Sequence, residues 1–139
     1  MDDYRAAVDF LSSRYPDLEL WAVGFSFGSY IAMTSGADDD RICALIGIAP
    51  PVNRYEFASV KLSAKPKFIV HGEGDELIPL KAVRESYARL QEPKEFVEID
   101  RASAPLRLRI AIGIDPPRLQ AAGQQVGIVG PNRHREVLH

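Results

Sequence analysis

Residues 18–37 read LELWAVGFSFGSYIAMTSGA: an apolar run, a glycine-flanked serine and a second apolar run. The stretch 20–23 is short, apolar and bounded, as a buried strand is. Residues 27–33 carry aromatic, Ala, Ile and Met side chains suited to a helix lying on a sheet. Between them, Gly24-Phe25-Ser26-Phe27-Gly28 is G-x-S-x-G in the setting its chemistry demands, a strand running into a helix. A serine there sits on a strained turn that lifts its hydroxyl clear of the sheet, and a side chain at Gly24 or Gly28 would collide with the neighbouring strand or helix. The free N–H groups of the helix's first turn face the same spot, which makes the Phe27 N–H a candidate oxyanion donor. A plain glycine-rich turn is the other reading of the pentapeptide; the flanking strand and helix favour a nucleophile elbow.

Working outward, residues 2–15 place Tyr4, Ala7, Val8, Phe10 and Leu11 near helical spacing, with acids in the first turn and Arg14 in the last, until Pro16 stops the helix. After the elbow unit, Gly36 and Asp38, Asp39 and Asp40 read as a helix end and a solvated loop. Other ligands at fixed spacing would be needed for a cation site. Residues 42–48, ICALIGI, form a second strand, continuous in its apolar character as a strand covered on both faces is, and Cys43 within it reads as a core residue. Pro50 and Pro51 end that strand and open a loop through Asn53, Arg54 and Tyr55. KFIVH at 67–71 is a third strand, followed by Gly72-Glu73-Gly74-Asp75-Glu76. Pro79 suits the first turn of a helix running to about Leu90, with Val83, Tyr87 and Leu90 on one face. Phe96, Val97 and Ile99 make a fourth strand. Strands alternating with helices at this rhythm predict an α/β fold with a mostly parallel sheet of about four strands and flanking helices.

At 139 residues the chain is one domain at most. A net charge of -2 gives no reason to expect nucleic acid or an anionic membrane as partner. Cys43 is the single cysteine, so no disulfide framework exists within the chain and a reducing cytoplasm is the simplest compartment. Residues 1–14 lack the apolar core of a signal peptide, and no stretch has the length to cross a bilayer. From Arg101 the character changes. All five lysines lie in the first hundred residues, which carry a net -6, whereas residues 101–139 have six arginines, no lysine and a net +4. The expected organisation is therefore a partial α/β domain over 1–100 and an irregular, atypical Arg- and Pro-containing tail over 101–139. Within the tail, Leu106, Leu108, Ile110, Ile112 and Ile114 alternate with other residues as a strand does, and 125–129 is a second, weaker strand candidate. Residues 127–132, GIVGPN, begin like a phosphate loop without the required G-K-[ST], and no aromatic residue lies among the scattered arginines to stack bases.

Three segments carry a resemblance to the α/β-hydrolase superfamily over roughly residues 2–100: AVGFSFGSYIAM at the elbow, GIAPPVNRY after the next strand and FIVHGEGDELIPLKAV after the third. The chain looks most like the small bacterial lid-poor esterases related to dienelactone hydrolases and serine aminopeptidases. In that family the strand-loop G-x-x-D-x-x-[IV]-P supplies the triad acid, which maps onto Asp75 with Ile78 and Pro79 in register. The resemblance implies a serine hydrolase acting on an ester or related small-molecule acyl substrate, with Ser26 as nucleophile, Asp75 as the acid that orients a histidine, and no metal or organic cofactor. The loop after Pro50 would lie beside such a site, either as a source of substrate contacts or as a proline-stiffened connection. Glu73 and Glu76 read as solvated loop residues.

The family's histidine follows the last strand within a few residues, commonly in G-x-x-H or G-x-D-H, whereas Arg101-Ala102-Ser103-Ala104-Pro105 stands here. His71 precedes Asp75, the wrong order for the base, and reads as structural. His134 is the better remaining candidate and His139 the lesser, both far downstream where a surface histidine is the ordinary reading. The family's strands before the elbow strand have no counterpart in the sequence. The expectation is thus a hydrolase truncated at its N-terminus and divergent or frame-shifted after about residue 100, impaired for lack of a placed histidine. Its elbow strand would have a bare edge unless another chain or segment covers it. That edge motivates the alternative of a non-catalytic remnant serving as a binding or assembly module, with homo-oligomers formed through the exposed edge.

Overall fold

The computed structural model describes residues 2–100 and 127–129. In chain order the elements are α1 (Asp2–Arg14), β1 (Leu20–Phe25), α2 (Phe27–Ala37), β2 (Ile42–Ile48), α3 (Ala58–Leu62), β3 (Lys67–Gly72), α4 (Leu80–Ala88), β4 (Lys94–Ile99) and β5 (Gly127–Val129). The sheet order is β4-β3-β2-β1-β5. Strands β1 to β4 are parallel to one another, and β5 runs antiparallel to β1. Helix α3 lies in a stretch for which the sequence predicts no element. Parallel neighbours need a crossover, and these five residues, with Val60 buried, are too short to carry a helical period.

Because β1, β2, β3 and β4 step in one direction across the sheet, crossovers of a single hand put their helices on one face. The main core lies there. It joins Tyr4 and Val8 of α1, Ala32 and Met33 of α2, Val60 of α3 and Val83 of α4 to Leu20, Ala22, Leu45 and Ile69 of the strands. Ile48, Val70 and Ile99 form a separate buried cluster on the other face, packed against Val23, Ile46 and Val97. The inner strands β1 to β3 thus bury apolar side chains on both faces, while all four described helices share one of them.

Helix α2 lies close to the sheet because Gly28, Ala32 and Gly36, four residues apart, all point inward and are buried. A Cβ on Gly36 would come within 2.8 Å of the Ala22 Cβ and 2.9 Å of a Leu45 methyl. Helix α4 is tied to β4 by Arg84, whose Nε and Nη2 donate to the two Glu98 carboxylate oxygens at 2.7 and 2.6 Å. That guanidinium holds the Glu98 carboxyl below its ordinary range. Pro79 occupies the N-cap of α4, one position before the first turn, and the helix stops at Ala88.

Two core expectations are corrected. Phe10 is 65% exposed: α1 buries the stripe of Tyr4 and Val8, with Leu11 partly buried, and a residue two positions from Val8 points to the far flank. Cys43 is exposed as well. The β1–β2 register slips between Leu20, opposite Ile42, and Trp21, opposite Ala44, so Cys43 is the extra residue of an irregularity and leaves the alternation. The elbow strand is not bare along its edge, since Trp21, Ala22 and Val23 pair with Val129, Ile128 and Gly127. That agrees with the weaker of the two tail strands read from sequence; residues 106–114 lie outside the described residues.

Tyr4 is only 5% exposed, and its hydroxyl has no partner among the described residues. Burial first, and then the Asp39 carboxylate, push its pKa up to about 12. An unfolded tyrosine ionises near 10, so between pH 10 and 12 the unfolded state loses its proton first and folding stability falls, by on the order of 2 kcal/mol in all. Tyr4→Phe is expected to melt at or slightly above the wild-type temperature at pH 7 and to lose less stability than wild type between pH 10 and 12, as measured by thermal unfolding across that range.

Candidate active site

The sheet carries β1 to the point where Phe25 pairs with Ile48. The next peptide still bonds to β2, with the Ser26 N–H donating to the Ile48 carbonyl at 2.8 Å. There the backbone turns at φ 52 and ψ -125, and α2 starts at once with Phe27. A non-glycine residue in such a region costs about 1–3 kcal/mol and persists only when its neighbours over-determine it. Ser29 does so from the helix side: its N–H and its buried Oγ both donate to the Ser26 carbonyl, at 2.9 and 2.6 Å. Gly24 makes room for the turn. A Cβ on it would lie 2.2 Å from the Gly28 carbonyl oxygen and 2.5 Å from the Ser29 nitrogen. The close approach is therefore between Gly24 and the backbone of Gly28, so the missing side chain at Gly24 sets the geometry.

At the N-terminus of α2 the Phe27 N–H has no acceptor within the helix, and no acidic side chain lies in the first turn. The partial positive end of the helix therefore lies beside Ser26.

Asp75 sits on the same rim of the sheet as Ser26. The parallel register Phe25–Ile48, Ile48–Val70 brings the carboxyl ends of β1, β2 and β3 to one edge, and Asp75 follows β3 by three residues. Strands β1 and β3 flank β2, so these two strand ends are on the order of 10 Å apart. The Asp75 turn is closed by its own side chain. Oδ1 accepts from the N–H groups of Leu77 and Ile78, at 2.9 and 3.0 Å. His71 supports the turn from beneath: it is buried, and its Nε2 donates to the Ile78 carbonyl at 2.9 Å. This agrees with a structural role for His71, which is the sole histidine among the described residues. His134 and His139 lie outside them.

The loop after β2 crowds the same rim. Ala49 takes a positive φ of 49 between Ile48, the partner of Ser26, and Pro50. Farther along, the Asn53 side-chain amide donates to the Leu77 carbonyl at 3.1 Å, fastening this loop to the one that carries Asp75. Two contributors were not singled out from sequence for these roles. For Ser29 the signal is a second hydroxyl three residues after the first, placed to reach back to its carbonyl. For Asn53 there is none, because its partner is 24 residues away. No group of three or more His, Cys, Asp or Glu side chains able to hold a metal occurs among the described residues.

The chain has counterparts among known proteins. No family model matches the chain. It is 31% identical over 102 residues to the uncharacterized protein RP471 of Rickettsia prowazekii (strain Madrid E), covering 70% of this chain and 43% of that protein. An alpha-beta serine hydrolase homologue from Coxiella burnetii superposes with a TM-score of 0.66 at 33% identity, over 71% of this chain and 47% of that one. XC6422 from Xanthomonas campestris, described as an a/b serine hydrolase without lid, gives 0.64 at 31% identity, over 72% and 45%. The chain spans less than half the length of each of these three. With its strand order and a strand-to-helix serine turn of the described geometry, the chain belongs to the α/β-hydrolase superfamily.

Proposed function

We propose that this chain carries the nucleophile and the acid of a serine hydrolase that cleaves an ester or a related acyl bond in a small molecule. The observation behind the reading is the backbone of Ser26, held at φ 52 and ψ -125 between β1 and α2, on the rim that also bears Asp75. In this scheme the Ser26 Oγ attacks the carbonyl carbon and its proton passes to a histidine. The Phe27 N–H receives the oxyanion, and Asp75 fixes the tautomer of the histidine and balances its charge. The protonated base then returns its proton to the leaving alkoxide, and water cleaves the acyl-serine by the same route.

Among the described residues His71 is engaged with Ile78, so the base belongs elsewhere and His134 is the candidate. Turnover of this chain on its own is expected to be low. A lone cysteine suits a reducing cytoplasm as its setting, and no helix among the described residues is long and apolar enough to cross a membrane.

The rival reading is a non-catalytic remnant that assembles through a sheet edge. It draws little support from the edges described. Gly127–Val129 lies on β1, and β4 carries Lys94, Glu95 and Glu98, the kind of charges by which edge strands resist pairing. A discrete oligomer in size-exclusion chromatography, together with no probe labelling, would favour it.

A fluorophosphonate probe is expected to label the chain slowly at Ser26, as read by mass spectrometry, and Ser26→Ala should abolish the adduct. Fast labelling would contradict the low turnover, and label retained in Ser26→Ala would remove Ser26 as nucleophile. In the same assay His134→Ala decides the base: loss of the residual reaction assigns it to His134, and an unchanged rate assigns it to another residue.

Asp75 separates structure from chemistry. Asp75→Ala removes the acceptor of two backbone N–H groups and should cost about 1–2 kcal/mol in thermal unfolding, whereas Asp75→Asn keeps an oxygen there and should melt close to wild type. Both should slow Ser26 labelling by roughly tenfold or more, because neither can orient and balance a charged histidine.

A further inference from the structure

Four aromatic rings run from the core to the serine rim. Phe57, buried, meets Tyr30 edge-on with centroids 5.5 Å apart. Tyr30 stacks on Tyr55 at 4.7 Å and 24°. Tyr55 in turn meets Phe27 at 5.4 Å, and Phe27 closes the triangle with Tyr30 at 6.2 Å. The inner end of this series is sealed, yet its outer members, Phe27 and Tyr55, are each 39% exposed. Phe27 is the residue after Ser26, so the half-exposed end of the series starts from the backbone of the serine turn.

The loop that bears Tyr55 is braced. The backbone around Tyr55 is closed by bonds from the Val52 N–H to the Pro50 carbonyl at 2.8 Å and from the Arg54 and Tyr55 N–H groups to the Pro51 carbonyl at 3.0 and 3.1 Å. The Asn53 amide pins the same loop to the acid loop. A rigid aromatic surface loses little freedom when a flat partner settles on it, and ring pairs gain beyond the area they bury. Exposed large aromatic side chains are otherwise costly to leave in water.

We infer that Phe27 and Tyr55 form a binding surface for an aromatic group on the substrate, so that the preferred esters carry an aryl ring within a few bonds of the reacting carbonyl. This deepens the serine hydrolase reading and rests on it for the word substrate; the ring-binding surface itself does not need a working nucleophile. Tyr55 selects by stacking, and Phe27 shares the contact while its N–H serves the oxyanion.

The test is ligand binding to the full chain, using phenylacetamide and its saturated counterpart cyclohexylacetamide and titrating each by NMR. Wild type should bind the aryl amide roughly tenfold more tightly. Tyr55→Ala should lose that preference while Tyr55→Phe keeps it, with thermal melts confirming that both variants fold. Ser26→Ala should keep it too, so a failure of the nucleophile reading is visible separately as missing probe adduct with intact aryl preference. Equal affinity for the two amides, no measurable binding of either, or a preference that survives in a folded Tyr55→Ala would overturn the inference.

Discussion

The close contact between Gly24 and the start of α2 governs the rest of the molecule. A strand can pass directly into a helix that folds back over it only if the last inward-facing residue of the strand has no side chain, because the carbonyl of Gly28 occupies the place a Cβ would take. With that contact made, Ser26 has no ordinary conformation left to it and is driven into its strained turn. The bonds from Ser29 and to Ile48 then lock it. The same closeness continues along the helix through Ala32 and Gly36, where a Cβ on Gly36 would meet Ala22 and Leu45 of the strands beneath.

Parallel order does the remaining work of assembly. Each strand ends at the same edge, so residues far apart in the chain arrive together by virtue of following a strand: Ser26 after β1, Ala49 and the proline-led loop after β2, Asp75 after β3. None of these needs a long-range contact of its own to be delivered to the rim. Ligand sites of open α/β sheets gather outside the carboxyl ends of their strands for this reason.

Much of this was legible in the sequence where a local rule applied. The strand, serine turn and helix at the elbow follow from apolar runs around two glycines, and the strands at 42–48 and 67–71 follow from uninterrupted apolar character. Asp75 follows from the resemblance, whose motif G-x-x-D-x-x-[IV]-P it fits, and that motif is legible because the turn is local, made by the Asp75 carboxylate and the amides of Leu77 and Ile78. What escaped depends on pairings that no short window contains. The displacement of Cys43 arises from a slip in register against β1. The outward turn of Phe10 reflects which stripe of α1 found α2 to pack against. Helix α3 is demanded by topology rather than by its own five residues. The covering of the β1 edge brings together positions about a hundred residues apart.

The Asn53 bond to Leu77 reaches beyond its own geometry. One loop carries Tyr55 and the other carries Asp75, and a single side-chain amide ties the two together across the rim. A replacement that removes the Asn53 amide therefore leaves each loop to settle without the other, and the position of Tyr55 ceases to depend on the turn at Asp75.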